Sequence, residues 1–562
     1  MKNVTIFKNP SFLLLFAIVL GFFLRIVLLA DIPSGFNWDE ASVAYNGYSL
    51  AETGKDEFGR SWPLIIESFG DYKTGLYSIL LIPFIKLFGL SVFVARFPNV
   101  LVGVLTIFAS YYLAHEYFGK KMPAALVALL IAISPWAIHI SRFVLEWHLG
   151  IPLTIFAGAF LLQAQQKPNR LLWAAVFFAA SLYFYHSLRL FIPLLLFAFV
   201  VINRTWVFDH KKKVAASLLL GALVLTPFIF SAIRNNIFAR PAAVSIFNKG
   251  NDGEVQEAKY RQTVANLPAL SILNNKPVIY LQAFFSNYLA HYSPQFLFTG
   301  QLQNSPRTTI RKVGLLYFIS LPFLIAGLYA SARKKTRKTQ FAFAWLLLAP
   351  VASSLAVDSP HELRSFIFLP IFQIFTVTGM FFVWEKLRTS RELVQNGFLI
   401  FVLSSYLAQM LFFLNRYYLF YPEETASYWQ AGHEEMVREV QQLEPFFDRI
   451  IITTGYGQPH IFFAFFAAID PTTYQTAVAQ QDPQFNGRVR QLSKLTFEEA
   501  SVADLCQPNT LVVTTHKGLD QAYKPFDTIT TLNRFHEPEP LFKFYASSDP
   551  LIEILCAQNV SQ

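Results

Sequence analysis

The sequence has 562 residues, of which 54% are apolar, 16% are aromatic and only 15% are charged, and its formal net charge is +10. A soluble globular chain carries about 25% charged residues, so this composition excludes a disordered protein, a coiled coil and an ordinary cytosolic enzyme. The two cysteines, Cys506 and Cys556, are too few for a disulfide-stapled mini-protein or a cysteine-rich zinc protein. The composition is typical of a protein that crosses a membrane many times.

Long apolar stretches recur along most of the chain. A spanning helix needs about 20 mostly apolar residues, because it crosses ~30 Å of hydrocarbon at ~1.5 Å per residue. We predict a multi-pass α-helical membrane protein with about eleven spans, within a range of about 10 to 13. The spans lie near residues 12–30, 95–117, 123–140, 150–165, 170–185, 188–202, 214–233, 313–331, 340–357, 365–384 and 396–418. The first is interpreted as an anchor, because Arg25 interrupts it and no small-residue cleavage site follows.

The basic residues alternate with these spans. If the N-terminus is cytoplasmic, the loops on that side are rich in Lys and Arg, as at residues 211–213 and 333–338, whereas the short loops on the other side hold only Arg142, Arg189 and Arg364. Loops rich in Lys and Arg stay on the inside during insertion. The pattern therefore predicts a cell (inner) membrane protein with a cytoplasmic N-terminus, and it explains the net charge without a nucleic-acid partner.

Two segments of the first outer loop, residues 31–94, have their own helical signals. Residues 40–52 have apolar side chains at helical spacing. Residues 76–88 are apolar but too short to span comfortably, so we predict an interfacial or re-entrant helix. The alternative is a span, which would invert the sidedness of every later loop. A second large outer loop covers residues 234–312 and ends in an aromatic run typical of a membrane interface.

Residues 423–562 are predicted to form a small soluble extracytoplasmic α/β domain, which leaves residues 1–422 as the transmembrane domain. Residues 436–443 have helical spacing, and residues 450–452, 511–513 and 541–545 read as short strands. The region contains no phosphate loop and no nucleophile elbow. A disulfide between Cys506 and Cys556 is permitted outside the cell membrane, and two buried thiols remain the alternative.

Carboxylates at the outer membrane edge are the candidate catalytic groups. Asp39 and Glu40 follow the first span, and Glu146 lies in the second outer loop. A carboxylate held among apolar neighbours is suited to act as a general base. Adjacent helical side chains diverge by about 100°, so one of Asp39 and Glu40 would face a cavity while the other caps or orients. The alternatives are that Asp39 is an ordinary helix N-cap and that Glu146 simply pairs with Arg142.

Lys and Arg are normally retained on the cytoplasmic side, so a basic residue at the outer face needs an explanation. Lys73 and Arg364 are suited to bind a phosphate at headgroup depth, and the alternative is contact with ordinary lipid headgroups. His139, His148 and His186 match no zinc-binding spacing, so we interpret them as polar interface residues and predict no metal site.

Several of these motifs together resemble bacterial members of glycosyltransferase family 39. They are the outward Asp39-Glu40 pair, the segment from Gly54 to Gly59 with Trp62-Pro63, Leu87-Phe88-Gly89, Arg96, and Ser141-Arg142 before the second-loop acid. The family includes relatives of protein O-mannosyltransferases and of the lipid A aminoarabinose transferase. The resemblance covers about residues 10–420 and implies the GT-C fold, with residues 1–422 as its catalytic domain.

The resemblance also implies a reaction and a set of residues. The donor would be a polyprenyl-phosphate-linked sugar, and Asp39 would deprotonate the acceptor. The family's second-loop acid, usually Asp, is Glu146 here, and the Glu-Lys-Pro stretch of the aminoarabinose branch becomes Tyr72-Lys73-Thr74, which argues against that branch's substrate. The predicted catalytic set is therefore Asp39, Glu40 and Glu146, and the predicted lipid-phosphate-binding set is Lys73, Arg364 and Arg142.

The expected function is thus that of an inverting membrane glycosyltransferase acting at the outer face. The acceptor hydroxyl would belong to a protein, a lipid or a glycan, and membrane lipids would be partners. No cofactor is required, and a divalent cation is compatible but not implied. One alternative is a transporter or flippase of polyprenyl-linked glycans, which would carry ionisable residues near the middle of its spans; few are present, and this disfavours transport. The other alternative is a membrane-anchored glycan-binding protein.

Overall fold

The structure of the protein is a computed structural model that describes residues 9–234, 244–247, 252–265, 273–302, 305–480, 489–515, 525–532 and 538–548. The chain forms two compact units. The first unit comprises Met1–Val27, Asn99–Ser141 and Trp147–Arg416, and the second comprises Leu28–Pro98, Arg142–Glu146 and Tyr417–Gln562. The second unit thus combines the first predicted outer loop with the predicted soluble region.

The first unit is mainly helical in its described residues. Its α-helices are Pro10–Ile26, residues 99–118 of Val92–Phe118, Lys121–Ala132, Pro135–Ile140, Gly150–Ala164, Arg170–Ser181, His186–Ile202, Arg204–Asp209, Lys211–Arg234, Asp252–Val264, Lys276–Ala290, Ser320–Ala332, Arg337–Leu348, Val351–Ser354, Leu369–Leu387 and Glu392–Asn415. A π-helix, Gln295–Thr299, and a 3-10 turn, Phe366–Phe368, complete the unit. Every predicted span overlaps one or more of these helices.

Four helical stretches are long and apolar enough to cross a membrane: Val92–Phe118, Lys211–Arg234, Phe366–Leu387 and Glu392–Thr425. Seven further apolar helices are shorter. Leu219 and Leu403 are among the many large apolar side chains that these helices leave exposed. Exposed apolar faces of this extent are what contact with lipid requires. The protein is therefore a helical membrane protein, while the number of spans and their sidedness stay predictions.

Two helices of the first unit, Ser320–Ala332 and Leu369–Leu387, cross in close contact at a pair of glycines. A Cβ atom on Gly327 would lie 1.8 Å from the carbonyl oxygen of Phe375, and a Cβ on Gly379 would lie 1.8 Å from that of Phe323. Small residues let helix backbones approach in this way. The crossing therefore depends on the absence of a side chain at both positions.

The first part of the second unit contains two helices and a hairpin. The predicted helix over 40–52 is confirmed as Trp38–Thr53. The apolar segment forms the 13-residue helix Leu76–Phe88, which is shorter than the ~20 residues of a full span. Between the helices, strands β1 (Ile65–Ser68) and β2 (Asp71–Thr74) pair antiparallel.

The rest of the second unit is an α/β region built on a six-stranded sheet. Its strands are β3 (Arg449–Ile452), β4 (Gln491–Leu492), β5 (Leu495–Phe497), β6 (Thr510–Thr514), β7 (Asp527–Leu532) and β8 (Pro538–Ala546). Their order is β4-β5-β3-β6-β8-β7, and β3 runs parallel to both β5 and β6. The three predicted strands are confirmed as β3, β6 and β8.

Short helices surround this sheet. They are Tyr421–Thr425, Ser427–Trp429, His433–Leu443, Glu444–Phe446, Pro459–Phe466, Pro471–Ala479 and Val502–Leu505. The predicted helix near 436–443 is confirmed as His433–Leu443. Cys506 is disulfide-bonded, and Cys556 lies outside the described residues.

One hydrophobic core unites the two parts of the second unit. Ala41 and Tyr45 from the Trp38–Thr53 helix lie in the same buried cluster as Phe462 and Ile450. Helix Trp38–Thr53 packs on helix Pro459–Phe466, and the Tyr45 hydroxyl donates to the Ile469 carbonyl at 3.0 Å. The helix that carries the candidate acids is therefore positioned by the C-terminal region.

Candidate active site

The first turn of the Trp38–Thr53 helix carries Asp39 and Glu40 on different sides. Asn37 is the N-cap, and its Oδ1 accepts from the backbone N–H groups of Asp39 at 2.8 Å and Glu40 at 3.1 Å. The alternative interpretation of Asp39 as the N-cap is therefore wrong. The missed signal is the Asn two residues earlier, which with Glu40 at the third position completes a capping box.

Asp39 forms an ion pair with Lys73. The Lys73 Nζ donates to Asp39 Oδ1 from strand β2, where Lys73 lies opposite Ile66. The Lys73 side chain is 7% exposed, whereas that of Asp39 is 39% exposed. The Asp39 carboxylate is therefore accessible to a ligand while it stays within ion-pair distance of the Lys73 ammonium.

Glu40 is fully buried and its carboxylate is saturated with hydrogen bonds. Arg96 donates two hydrogen bonds to it, from Nε to Oε1 and from Nη2 to Oε2, each 3.0 Å long. The Val144 N–H donates to Oε1 at 2.9 Å, and the Asn37 N–H donates to Oε2 at 3.4 Å. A buried charge needs such a partner and full hydrogen bonding. In this arrangement Glu40 positions the chain around it.

Arg96 also fixes the backbone that leads into the helix. Its Nη1 donates to the carbonyls of Leu29, Ala30 and Pro33 at 3.0–3.2 Å, and its Nη2 donates to that of Gly35 at 2.6 Å. An arginine in an apolar stretch is costly without partners. Here the cost is offset by Glu40 and four carbonyl oxygens, which hold residues 29–40 in one geometry.

The segment Arg142–Glu146 reaches the same site. Val144 binds Glu40 as described, and the buried Arg142 donates through Nη2 to the carbonyls of Leu28 at 3.0 Å and Ile32 at 3.1 Å. The Arg142 guanidinium also lies over the Tyr417 ring, 5.4 Å from its centre. Glu146 is half-buried at the end of the segment. The structure therefore brings Asp39, Glu40, Lys73, Arg142 and Glu146 into one unit.

Glu57 is a further acid near the site that sequence reasoning did not single out. It is buried, and its Oε1 accepts from Asn46 Nδ2 at 2.8 Å and Ser42 Oγ at 3.1 Å. Burial raises its pKa to about 8, against the lowering effect of these two hydrogen bonds. Its position in the Gly54–Gly59 segment could have drawn attention to it, but that segment contributed only to the family resemblance and no role was predicted for Glu57.

Arg364 belongs to the first unit. It is paired there with Asp358, to which its Nη1 donates at 2.5 Å. Burial opposes ionisation of Asp358, but the hydrogen bond and charge of Arg364 lower the pKa of that carboxyl. The predicted role of Arg364 as a phosphate ligand stays a prediction.

The three candidate histidines each have a polar contact. His148 Nδ1 lies 2.7 Å from Asn99 Oδ1, His139 Nε2 lies 2.8 Å from the Arg307 carbonyl, and His186 Nδ1 lies 2.7 Å from Arg189 Nη1. Within the described ranges, no group of three or more His, Cys, Asp or Glu residues is arranged to hold a metal ion.

Residues 76–230 match the model of a family described as dolichyl-phosphate-mannose-protein mannosyltransferase. This segment, which is less than half of the chain, is similar to glycosyltransferase family 39. This match identifies the chain as a glycosyltransferase and agrees with the resemblance drawn from the sequence, of whose motifs Arg96 lies within the matched residues and Asp39 lies outside them. No curated protein sequence matches the chain significantly.

Solved structures show that this glycosyltransferase has the GT-C fold. ArnT from Cupriavidus metallidurans in the apo state is 13% identical, with a TM-score of 0.55, and the match covers 95% of this chain and 98% of that one. The same protein bound to undecaprenyl phosphate gives 13% identity, a TM-score of 0.52, and coverage of 96% and 98%. The oligosaccharyltransferase AglB from Archaeoglobus fulgidus, in complex with an inhibitory peptide and a dolichol-phosphate, is 12% identical, with a TM-score of 0.50. The match covers 90% of this chain and 69% of that one.

Proposed function

We propose that the protein transfers a sugar from a polyprenyl-phosphate donor to an acceptor hydroxyl at the outer face of the membrane, with Asp39 as the general base. The observation that carries the proposal is the Asp39–Lys73 pair, in which the base candidate is partly exposed and the cation is nearly buried. Glu40 is then a positioning residue, because Arg96, Val144 and Asn37 occupy its carboxylate.

The donor phosphate and Asp39 compete for the same ammonium in this proposal. When the donor binds, its phosphate attracts Lys73 Nζ, because a phosphate oxygen is a strong acceptor for a charged donor. The Asp39 oxygen that Lys73 held then becomes available to an acceptor hydroxyl. Binding of the donor thereby prepares the base, and the base is occupied when no donor is present.

The chemical step follows from these positions. The acceptor oxygen attacks the anomeric carbon as its proton passes to Asp39, and the bond between that carbon and the phosphate oxygen breaks. The electron pair leaves with the polyprenyl phosphate, whose charge Lys73 stabilises. An in-line attack inverts the anomeric centre. The step needs no cofactor, and the predicted roles of Arg142, Glu146 and Arg364 stay predictions.

Two proteins of this fold support the choice of donor. ArnT has been solved with undecaprenyl phosphate, and AglB has been solved with a dolichol-phosphate and an inhibitory peptide. Both lipids carry a phosphate on a polyprenyl chain. The acceptor of this protein is proposed only as a hydroxyl of a protein, lipid or glycan.

The proposal is tested by sugar transfer in membranes that contain the full-length protein and labelled polyprenyl-phosphate sugars. Asp39→Asn keeps the size of the side chain but cannot take the proton, so transfer should fall by about 10²–10⁴-fold, the usual contribution of a general base. Asp31→Asn is the matched control, since Asp31 lies in the same unit and has no part in the proposed step. Wild-type transfer by Asp39→Asn would refute the assignment.

A further inference from the structure

A basic cavity of about 550 Å³ lies in the first unit, and none of the residues assigned to the transfer reaction lines it. Its lining includes Lys334, Arg337 and Lys338, together with Thr336, Ser331 and Gln165. Among the described residues, no carboxylate lies within ion-pair distance of these three cations. The cavity is therefore rich in hydrogen-bond donors and positive charge.

The cations occupy an unfavourable place on their helix. Arg337 and Lys338 are the first two residues of helix Arg337–Leu348, whose N-cap is Thr336. A helix N-terminus carries partial positive charge, so it favours acidic residues there and disfavours basic ones. Retention of basic loops at the cytoplasmic face accounts for Lys and Arg in this part of the sequence, but it does not require them in the first turn of a helix that lines a cavity. A bound anion would stabilise both the cations and the N–H groups of Arg337 and Lys338, since the Thr336 hydroxyl already accepts from the N–H of Thr339.

Two neutral side chains in the cavity provide independent evidence. Ser331 is only 1% exposed, yet its Oγ has no hydrogen-bond partner. The amide Nε2 of Gln165 is likewise buried without a partner. Burying a hydrogen-bonding group without a partner costs about 1–3 kcal/mol, so such groups are normally satisfied. Both residues line the cavity, so each brings an unpaired donor to its wall.

Lys338 is held in position by the protein, because its Nζ donates to the Glu116 carbonyl. Lys334 is exposed, and its backbone N–H donates to the Ser331 carbonyl at 2.9 Å, so it follows Ser331 in one short turn. The cavity therefore combines one cation held by a backbone carbonyl, exposed cations and two buried donors. This donor set matches the several acceptor oxygens of a phosphate group.

We propose that this cavity binds an anionic phosphate group, carried either by a membrane phospholipid or by a soluble phosphate. The sequence places the surrounding loops at the cytoplasmic face, where anionic lipids and basic pockets between helices meet. The site shares no residue with the proposed transfer chemistry, so failure of one proposal leaves the other standing.

The test uses the purified full-length protein and counts retained lipid by native mass spectrometry. The probes are phosphatidylglycerol, phosphatidylcholine and, as a soluble competitor, inorganic phosphate. Wild-type protein should retain phosphatidylglycerol in preference to phosphatidylcholine if the ligand is a lipid headgroup. Inorganic phosphate should bind saturably in detergent, without a preference between the two lipids, if the ligand is soluble.

Two variants and one matched control separate a built site from general surface charge. The double variant Lys334→Gln/Arg337→Gln should weaken binding by about tenfold or more, since each charge-assisted hydrogen bond is a strong one. Ser331→Ala should also weaken it, without any change of net charge. The control Arg333→Gln/Lys335→Gln removes the same charge from the same loop but from residues that do not line the cavity. The proposal is overturned if the control weakens binding as much as the double variant or if Ser331→Ala has no effect. It is also overturned if neither phosphatidylglycerol nor inorganic phosphate binds.

Discussion

At the scale of single residues, the site depends on how two adjacent acids are given different environments. Asp39 and Glu40 are neighbours, but one is partly exposed beside Lys73 and the other is buried against Arg96. The helix rotation of about 100° per residue sends the two side chains apart. One turn of helix thereby supplies a reactive carboxylate and a structural one.

Glu57 offers a prediction at this scale. Its pKa is raised to about 8 by burial, so the folded state prefers the protonated acid. The stability this provides is present below the unfolded pKa of about 4.3 and is lost as pH rises through about 8. We expect the thermal unfolding temperature of the wild type, relative to Glu57→Gln, to fall as pH rises between these values, by an amount that corresponds to at most about 5 kcal/mol.

The check is thermal unfolding in detergent at several pH values for both proteins. Gln keeps the hydrogen bond from Asn46 but does not ionise. Parallel pH profiles for the wild type and Glu57→Gln would show that Glu57 does not titrate as its burial requires.

At the scale of elements, the close crossing of helices Ser320–Ala332 and Leu369–Leu387 makes a second prediction. Gly327→Ala places a methyl group against the Phe375 carbonyl, which the backbone relieves only by moving the helices apart. Overpacking of this kind costs about 1–3 kcal/mol or more. We therefore expect a clear loss of stability in detergent unfolding.

Gly397→Ala is the matched control, because nothing lies within 4 Å of a Cβ at that helical position. There the substitution should be neutral or stabilising by about 0.5–1 kcal/mol, since alanine favours helix. Equal effects at Gly327 and Gly397 would contradict the close crossing.

Elements with a local signal were predictable from the sequence, and elements that depend on distant partners were not. Helix Trp38–Thr53 followed from periodicity, strands β3 and β6 from runs rich in β-branched residues, and β8 from an aromatic-rich run. Strands β4 and β5 have two and three residues, too few for an alternation to show, and they exist because β5 pairs with β3. Short strands of this kind are specified by the sheet that receives them.

The candidate site was likewise predictable from the sequence only in part. Asp39, Glu40 and Lys73 could be chosen because charges beside an apolar span are expensive and invite a function. Their pairing could not be predicted, since it depends on a hairpin that brings strand β2 to the first turn of a helix. Arg96 was noted only as part of the resemblance, although an arginine inside an apolar stretch already called for buried hydrogen-bond acceptors.

At the scale of the whole molecule, the sequence predicts a separate domain over residues 423–562, whereas the second unit joins these residues with residues 28–98. Gln430 Oε1 accepts from the Trp38 N–H at 2.9 Å, one residue before Asp39. Deletion of the C-terminal region would therefore remove much of the core beneath the candidate base. It would not separate a catalytic domain from an accessory one.

A substitution in the shared core tests this connection more gently. Phe462→Ala should destabilise the second unit by about 3–5 kcal/mol, as expected for a large buried side chain. Hydrogen exchange in the Trp38–Thr53 helix should then become faster, although the substitution lies far along the chain. Phe446→Ala, at a side chain that is 71% exposed, is the control. Unchanged exchange in that helix after Phe462→Ala would contradict a common core.

The most direct test of the account is the affinity of the purified protein for undecaprenyl phosphate, measured for the wild type, Asp39→Asn and Lys73→Gln. If the lipid phosphate and Asp39 compete for Lys73, Asp39→Asn binds the lipid as tightly as the wild type or more tightly, and Lys73→Gln binds it more weakly by about tenfold or more. Weaker binding by Asp39→Asn, or undiminished binding by Lys73→Gln, would contradict the exchange of Lys73 on which the proposed reaction depends.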